Sequence, residues 1–390
     1  MTATAGALEN RIVEGLDAAP VPVPLVVGTC GSGRTSLLLR LRDRLGAGRC
    51  QYVDVARIAT TPERFHAALV AASPFSVAGL PPDAAQAGPR TAFDATIRFL
   101  QSAHTGQGTP ATFLLDDVLE LRTFESFPGL RHAVGDLVAA LGDTPNRFVL
   151  TTRFRARAGR LAATGAARLR IETIPPLTTP DVEGLLAEAF AGPRAPVPDE
   201  ETARAIGALT NGHVGYAQMV ATELREMTQR GVTDPLSALA ALISPGGRLD
   251  AACRHCYELR LHRARGYGAL KAILDVLAGE EPLTLTAIAH RLHRTAGSTK
   301  DYLSWLEDVD LIVATRKQYR VADPLLRLWV RLNGRPAPPS DEDVAREVHR
   351  YAAERLATPR AEVPVVTTGV GVRTAGAGAV AGASDIIEFD

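Results

Sequence analysis

Lysine is nearly absent from this chain. Among 43 basic residues only Lys271, Lys300 and Lys317 are lysines, and the rest are arginines. Neither sign of charge prevails, with 43 basic against 43 acidic residues. That balance excludes a global field drawing the molecule to nucleic acid or a membrane, so any such contact needs a local patch. Four cysteines in 390 residues exclude a disulfide-built scaffold. No apolar run is long enough to cross a bilayer. Met1 to Asn10 has neither the basic start nor the apolar centre of a secretory signal. The expectation is a cytoplasmic protein with no membrane partner. Its length allows two or three domains, and its 46% hydrophobic content is that of a soluble globular chain.

What is present begins at Val23 to Val27, a short β-rich run that feeds Gly28-Thr29-Cys30-Gly31-Ser32-Gly33-Arg34-Thr35. A glycine-rich turn between a strand and a helix lets backbone N–H groups wrap a phosphate at the helix N-terminus. In the standard phosphate loop a lysine reaches the terminal phosphates and the next hydroxyl holds Mg²⁺. Here Gly28, Gly31, Ser32, Gly33 and Ser36 fit the cradle and Thr35 supplies the hydroxyl. Arg34 stands in the lysine position, with a larger planar head and a different reach. Two accounts of Arg34 stand side by side. One is drift in an arginine-rich chain; the other is a loop tuned for holding nucleotide over cleaving it.

Periodicity continues the pattern. A helix is expected over residues 35–45, a strand over 51–55, and a helix opening at Thr61-Pro62-Glu63 with threonine as cap. A Pro/Gly/Ala-rich loop follows over 73–90, then a helix over 91–103 and a strand over 111–115. A helix over 126–141 and strands over 147–152 and 168–171 complete the series. Strands alternating with helices predict a parallel sheet covered on both faces, a three-layer α/β sandwich.

Phe113-Leu114-Leu115-Asp116-Asp117 ends a buried strand with two carboxylates at the edge where parallel sheets bind ligands. Asp116 is placed to hold Mg²⁺ through water, and Asp117 to orient or deprotonate an attacking water. Phe148-Val149-Leu150-Thr151-Thr152-Arg153 ends another strand on the same edge. Thr152 is the candidate sensor of the terminal phosphate, and Arg153 adds positive charge where negative charge redistributes.

With these motifs in order, the chain resembles the AAA+/STAND branch of P-loop ATPases, especially prokaryotic ATPases in which a nucleotide domain precedes a winged helix. The Asp-Asp and Thr-Thr-Arg endings are similar to that branch's Walker B and sensor 1 motifs. Ile174-Pro175-Pro176-Leu177-Thr178 resembles the passage into its helical lid. Leu209-Thr210-Asn211-Gly212-His213-Val214 resembles its Gly-x-Pro lid motif, with Val214 in place of the proline and His213 retained. Residues 319–331 resemble the end of its winged helix. The resemblance implies a P-loop NTPase fold that binds ATP or ADP with Mg²⁺, His213 joining the nucleotide site. It also implies a switch in which the nucleotide fixes the position of the winged helix. Arg34 leaves hydrolysis open.

The implied organisation is a nucleotide domain over 1–177, a helical lid over 178–245 and a winged helix over 246–335. A linker with a helix follows over 336–357, and a Gly/Ala/Val-rich tail over 358–390 is expected to be disordered. The winged helix itself is expected from helices at 267–277, 284–292 and 298–309 followed by a β-ribbon over 311–321. As a DNA reader it would use Arg294, Lys300, Arg316 and Lys317. Asp301, Glu307, Asp308 and Asp310 oppose that use and leave internal packing, a protein partner or a homo-oligomer open. Cys253 and Cys256, with His255 and His262 nearby, fall short of a zinc site. Cys30, inside the phosphate loop, is a candidate for oxidation.

Overall fold

The computed structural model describes residues 2–76, 88–163, 168–192, 196–261, 266–335 and 337–356. The expected disordered tail and His262 lie outside these residues. Five strands form a parallel sheet: β1 (Val23–Val27), β2 (Cys50–Asp54), β3 (Thr112–Asp116), β4 (Arg147–Thr152) and β5 (Leu169–Thr173). Their order is β2-β3-β4-β1-β5. The loop after β1 therefore opens beside the end of β4, with β3 one strand further.

Alternation along each strand divides the interior into two layers. Leu25, Val27, Phe113, Leu115, Phe148 and Leu150 join the core beneath helices Pro62–Ala71, Pro89–Ser102 and Ala133–Leu141. Val26, Leu114 and Val149 point the other way, into a core shared with helices Ala3–Leu16 and Arg34–Leu45. Phe113 and Phe148 are register partners and stack with ring centroids 5.6 Å apart. The three-layer sandwich expected from the alternation of elements is the fold observed.

Some elements differ from the sequence reading. Of the helix expected over 126–141 only Ala133–Leu141 is helical; Phe127-Pro128-Gly129 separates it from an unexpected 3₁₀ stretch, Val118–Ser126. Proline and glycine at that point prevent one continuous helix. Ala3–Leu16, Val55–Ile58, Arg155–Ala163, Pro235–Ile243 and Pro324–Asn333 are helices beyond those expected, and Cys253 and Cys256 lie on helix Arg248–Leu261. Ala3–Leu16 starts on a Thr2 cap and buries Leu8, Ile12 and Leu16, spaced by four residues along one face.

The second half begins at Thr178, which forms a capping box with Asp181 and starts helix Thr179–Ala189. Helices Glu200–Leu209, Val214–Thr228, Pro235–Ile243 and Arg248–Leu261 follow. Then come helix Tyr267–Glu280, β6 (Leu283–Thr284), helices Leu285–Arg291 and Ala296–Asp308, and the hairpin of β7 (Ile312–Thr315) and β8 (Gln318–Val321). The three strands pair in the order β6-β8-β7. One continuous apolar core runs from Leu177 to Ala352, spanning the turn at Ser244–Gly247. Within it the Trp329 indole donates to Asp250 at 2.7 Å, and the Tyr351 hydroxyl donates to the Leu209 carbonyl at 2.6 Å.

Candidate nucleotide site

The glycine loop leaves β1 with the Gly28 N–H bonded to the Thr152 carbonyl at 3.3 Å, which ties the loop to the end of β4. Gly33 then takes φ +90° as the cap of helix Arg34–Leu45, a left-handed conformation that favours glycine over residues with a side chain. Arg34, Thr35 and Ser36 form the first helical turn, whose N–H groups have no intrahelical acceptor.

The two carboxylates are used differently. Asp116 accepts from Thr35 Oγ1 at 2.6 Å, from Thr151 Oγ1 at 2.5 Å and from the Tyr52 hydroxyl at 3.1 Å. The pair expected to hold a metal, Thr35 and Asp116, is thus in direct contact. Asp117 follows in a left-handed turn, φ +54°. Arg34 Nη1 donates to its Oδ1 at 2.5 Å and Arg153 Nη2 to its Oδ2 at 2.6 Å. All three side chains are largely buried. Burial alone would raise the Asp117 pKa, but the Arg34 and Arg153 guanidiniums overcome it and hold the carboxyl below the usual carboxylate range.

Thr152 sits elsewhere than the sequence reading placed it. Its hydroxyl accepts from the Phe154 N–H at 3.2 Å, in the turn beyond the strand. Thr151 is the hydroxyl at the acidic pair, bonding Asp116 and accepting from the Asp117 N–H at 2.9 Å. The Thr-Thr doublet carried the signal without saying which of the two turns inward, because one residue of offset reverses the face.

His213 joins the loop from the second half of the chain. It caps helix Val214–Thr228, its Nδ1 accepting from the Tyr216 N–H at 3.2 Å. With Nδ1 an acceptor, the proton lies on Nε2, which donates to the Cys30 carbonyl at 2.9 Å. Burial lowers its pKa against the opposing pull of Asp323 and the Cys30 carbonyl. The approach is close enough that a Cβ on Gly215 would stand 2.7 Å from the Gly31 carbonyl oxygen.

Between the loop and helices Thr179–Ala189 and Val214–Thr228 lies a cavity of about 520 Å³, a volume suited to a small ligand. Gly31, Ser32, Gly33, Arg34, Thr35 and Ser36 line one side, and Ile174, Pro175, Leu177, Leu185 and Val214 another. Thr4 and Leu8 of the first helix close it. Their helix carries two local signals in the sequence, the Thr2 cap and the four-residue spacing of Leu8, Ile12 and Leu16, but neither points to the loop. Thr4 Oγ1 donates to Asp181 at 2.7 Å and so ties that helix to the start of helix Thr179–Ala189.

The residues fit a phosphate group. Ser32 Oγ, Arg34 Nε and Arg153 Nε are buried and have no hydrogen-bond partner, although such groups are normally satisfied. A side chain at Gly28 would run into the Ser32 hydroxyl. Elsewhere, Cys253 is buried and Cys256 half-buried. Among the described residues no group of three or more histidine, cysteine or carboxylate side chains is placed to hold a metal ion. No described helix is long and apolar enough to cross a membrane.

No protein-family model matches the chain, and no curated protein sequence does. Solved structures do. A Walker-type ATPase of Pyrococcus abyssi superposes with a TM-score of 0.61 at 18% identity, over 83% of this chain and 95% of that one. More distant are the ORC1 protein of Aeropyrum pernix, crystallised with DNA, and a RuvB variant of Thermotoga maritima. The first has a TM-score of 0.42 at 18% identity over 91% of this chain and 93% of its own. The second has 0.43 at 14% over 81% and 91%. The first of these likenesses, with the parallel five-stranded sheet, shows that the chain has the α/β fold of the P-loop NTPases.

Proposed function

We propose that this protein is a nucleotide-operated switch that binds ATP and ADP with Mg²⁺, hydrolyses ATP slowly, and couples the bound nucleotide to its winged helix. The observation that carries the reading is Asp117, whose two carboxylate oxygens are each taken by a guanidinium. A general base works best with a pKa near the working pH, and against burial the two guanidiniums hold the Asp117 carboxyl well below it. The loop backbone, Ser32 and Arg34 would receive the phosphates, while Thr35 and Asp116 would hold Mg²⁺. The metal, when bound, supplies charge neutralisation at the phosphoryl oxygens.

The link to the winged helix is physical. Asp310, at the end of helix Ala296–Asp308, accepts from the N–H groups of Arg155 at 2.5 Å and Ala156 at 3.2 Å. Those residues start helix Arg155–Ala163, two residues after Arg153. Arg160 pairs with Asp308 at 2.5 Å, and Arg260 Nη1 donates to the Asp310 carbonyl at 2.9 Å. Any change in Arg153 on nucleotide entry is felt within one turn by the winged helix.

Thermal unfolding with ATP or ADP, with and without Mg²⁺, tests this. Ligand at a hundred times its Kd stabilises by about 2.7 kcal/mol; no upward shift in Tm with either nucleotide would overturn the reading.

A second reading is favoured by the same docking. Asp308 and Asp310, which oppose DNA at the reading helix, are engaged against the nucleotide domain. Arg294, Lys300, Arg316 and Lys317 are all exposed. Duplex DNA binding that weakens with salt, and is lost on changing Lys300, Arg316 and Lys317 together, would support a winged helix that reads DNA. A nucleotide response without DNA affinity would leave internal packing or a protein partner.

A further inference from the structure

Tyr52 lies in the middle of β2, which pairs with β3 at one edge of the sheet. Its register partner on β3 is Leu114, and Asp116 follows two residues later on the same face of that strand. The step from Tyr52 to Asp116 is therefore diagonal, a span within reach of a long aromatic side chain. The Tyr52 ring packs against the apolar layer that contains Leu38, Leu41, Leu114 and Val149. Its hydroxyl emerges from that layer and donates to Asp116 Oδ2 at 3.1 Å.

Thr151 does the same from the opposite side. It lies on β4, which flanks β3 across from β2, and its hydroxyl donates to Asp116 Oδ1 at 2.5 Å. The carboxylate is thus held by both neighbouring strands, with one sheet-borne donor to each oxygen. The remaining donor, Thr35, reaches Oδ2 at 2.6 Å, but it belongs to the first turn of helix Arg34–Leu45 and moves with the glycine loop. The terminal torsion of an aspartate is broad and turns easily. One anchored oxygen leaves the carboxylate free to swing, whereas two fix its plane. Tyr52 is what fixes the second oxygen independently of the loop.

We propose that Tyr52 is a positioning residue for the metal carboxylate, holding Asp116 in the orientation that receives Mg²⁺ and so setting the Mg²⁺ affinity of the site. The inference rests on the nucleotide reading above, in which Thr35 and Asp116 hold the metal. Tyr52 acts through Asp116 and is given no contact with nucleotide. Groups that orient a metal ligand from behind are worth about 10–100-fold in metal affinity. Tyr52→Phe removes the donor and keeps the ring that packs on Leu114, so it separates the hydroxyl from the apolar contact. On a strand whose neighbours are apolar, a tyrosine would otherwise serve as a core residue with its hydroxyl at the rim.

The experiment compares the full native chain with Tyr52→Phe, using a fluorescent ATP analogue as the probe. Affinity is first measured in EDTA, and Mg²⁺ is then titrated at a fixed analogue concentration. In EDTA the two proteins should bind equally, because the glycine loop is untouched. The Mg²⁺ concentration that gives half of the metal-dependent gain in binding should rise about tenfold or more in Tyr52→Phe. An unchanged half-point in the variant overturns the proposal. Equal weakening with and without Mg²⁺ also overturns it, by making Tyr52 a packing residue of β2. Binding by the native chain that ignores Mg²⁺ rejects the metal site, the role of Tyr52 included, and keeps nucleotide binding. No binding by the native chain in either condition overturns the nucleotide reading itself, and this role with it.

Discussion

Arg34 Nη1 donates to Asp117 Oδ1 at 2.5 Å, so the residue in place of the phosphate-loop lysine is held by the second carboxylate after β3. Arg153 takes the other oxygen. The three side chains carry a net positive charge beside a cavity lined by the glycine loop, an arrangement that attracts phosphate. The same pairing keeps Asp117 from acting as a base until one arginine moves.

Asp117→Asn should abolish turnover while leaving nucleotide binding in place, since it removes the base and not the loop. It also leaves two buried guanidiniums short of a counter-charge. Losing one member of a fully buried pair costs roughly 3–5 kcal/mol; with slight exposure and an amide oxygen still able to accept, about 2 kcal/mol is expected. Denaturant melts and single-turnover assays check both outcomes. Undiminished turnover would remove Asp117 from the chemistry.

Gly215→Ala should weaken nucleotide binding and the fold together. Its Cβ would stand 2.7 Å from the Gly31 carbonyl oxygen, a backbone atom that moves only with the loop, and overpacking of this kind costs about 1–3 kcal/mol. Gly184→Ala is the control. It lies in helix Thr179–Ala189 with open space around it, and replacing a helical glycine there should stabilise by up to about 1 kcal/mol. Equal affinity in the two variants would mean that the lid contact does not shape the loop.

Acid should loosen the lid through His213. Its folded pKa is lowered, with burial the main cause, so the unfolded chain takes up a proton that the folded one resists. Stability is then fully present above the unfolded value near 6.5 and falls as pH drops through it, until the folded pKa is passed. Protonation would also remove the Nδ1 acceptor that caps helix Val214–Thr228. Melting temperatures of the native chain and of His213→Asn between about pH 7.5 and pH 5.5 test this. The native chain should lose more, and parallel losses would contradict it.

Asp310→Ala should free the winged helix from the nucleotide domain. The carboxylate serves the first N–H groups of helix Arg155–Ala163 from across the interface, and loss of such a cap costs about 1 kcal/mol. Faster hydrogen exchange at Arg155 and Ala156 is the expected signal. Unchanged exchange there would place the docking energy in other contacts.

Much of the site was legible because its chemistry is local to strand ends. The glycine loop, Asp116-Asp117 and Thr151-Thr152-Arg153 each close an apolar run, and parallel pairing delivers all three to one edge. The lid histidine was legible only through resemblance, since nothing in its own neighbours announces a contact with Cys30. The first helix was hard to read because its opening turn, Ala3 to Gly6, holds only small residues and carries little apolar periodicity. Arg260 and Asp310, like Arg155 and Asp310, meet from far apart in the chain, and no spacing encodes such a meeting. The break at Phe127-Pro128-Gly129 was readable and outweighed by the apolar periodicity on either side.

The central claim is that Arg34 and Arg153 hold Asp117 and make this a nucleotide holder with slow turnover. Single-turnover hydrolysis of ATP by the native chain and by Arg34→Lys, with affinity measured alongside, tests it most directly. A lysine is a compact charge without the planar fork, so it should release one oxygen of Asp117 and raise turnover by about tenfold or more, a barrier change of roughly 1.4 kcal/mol, at similar affinity. Equal turnover in the two proteins would contradict the account and mark Arg34 as drift in an arginine-rich chain.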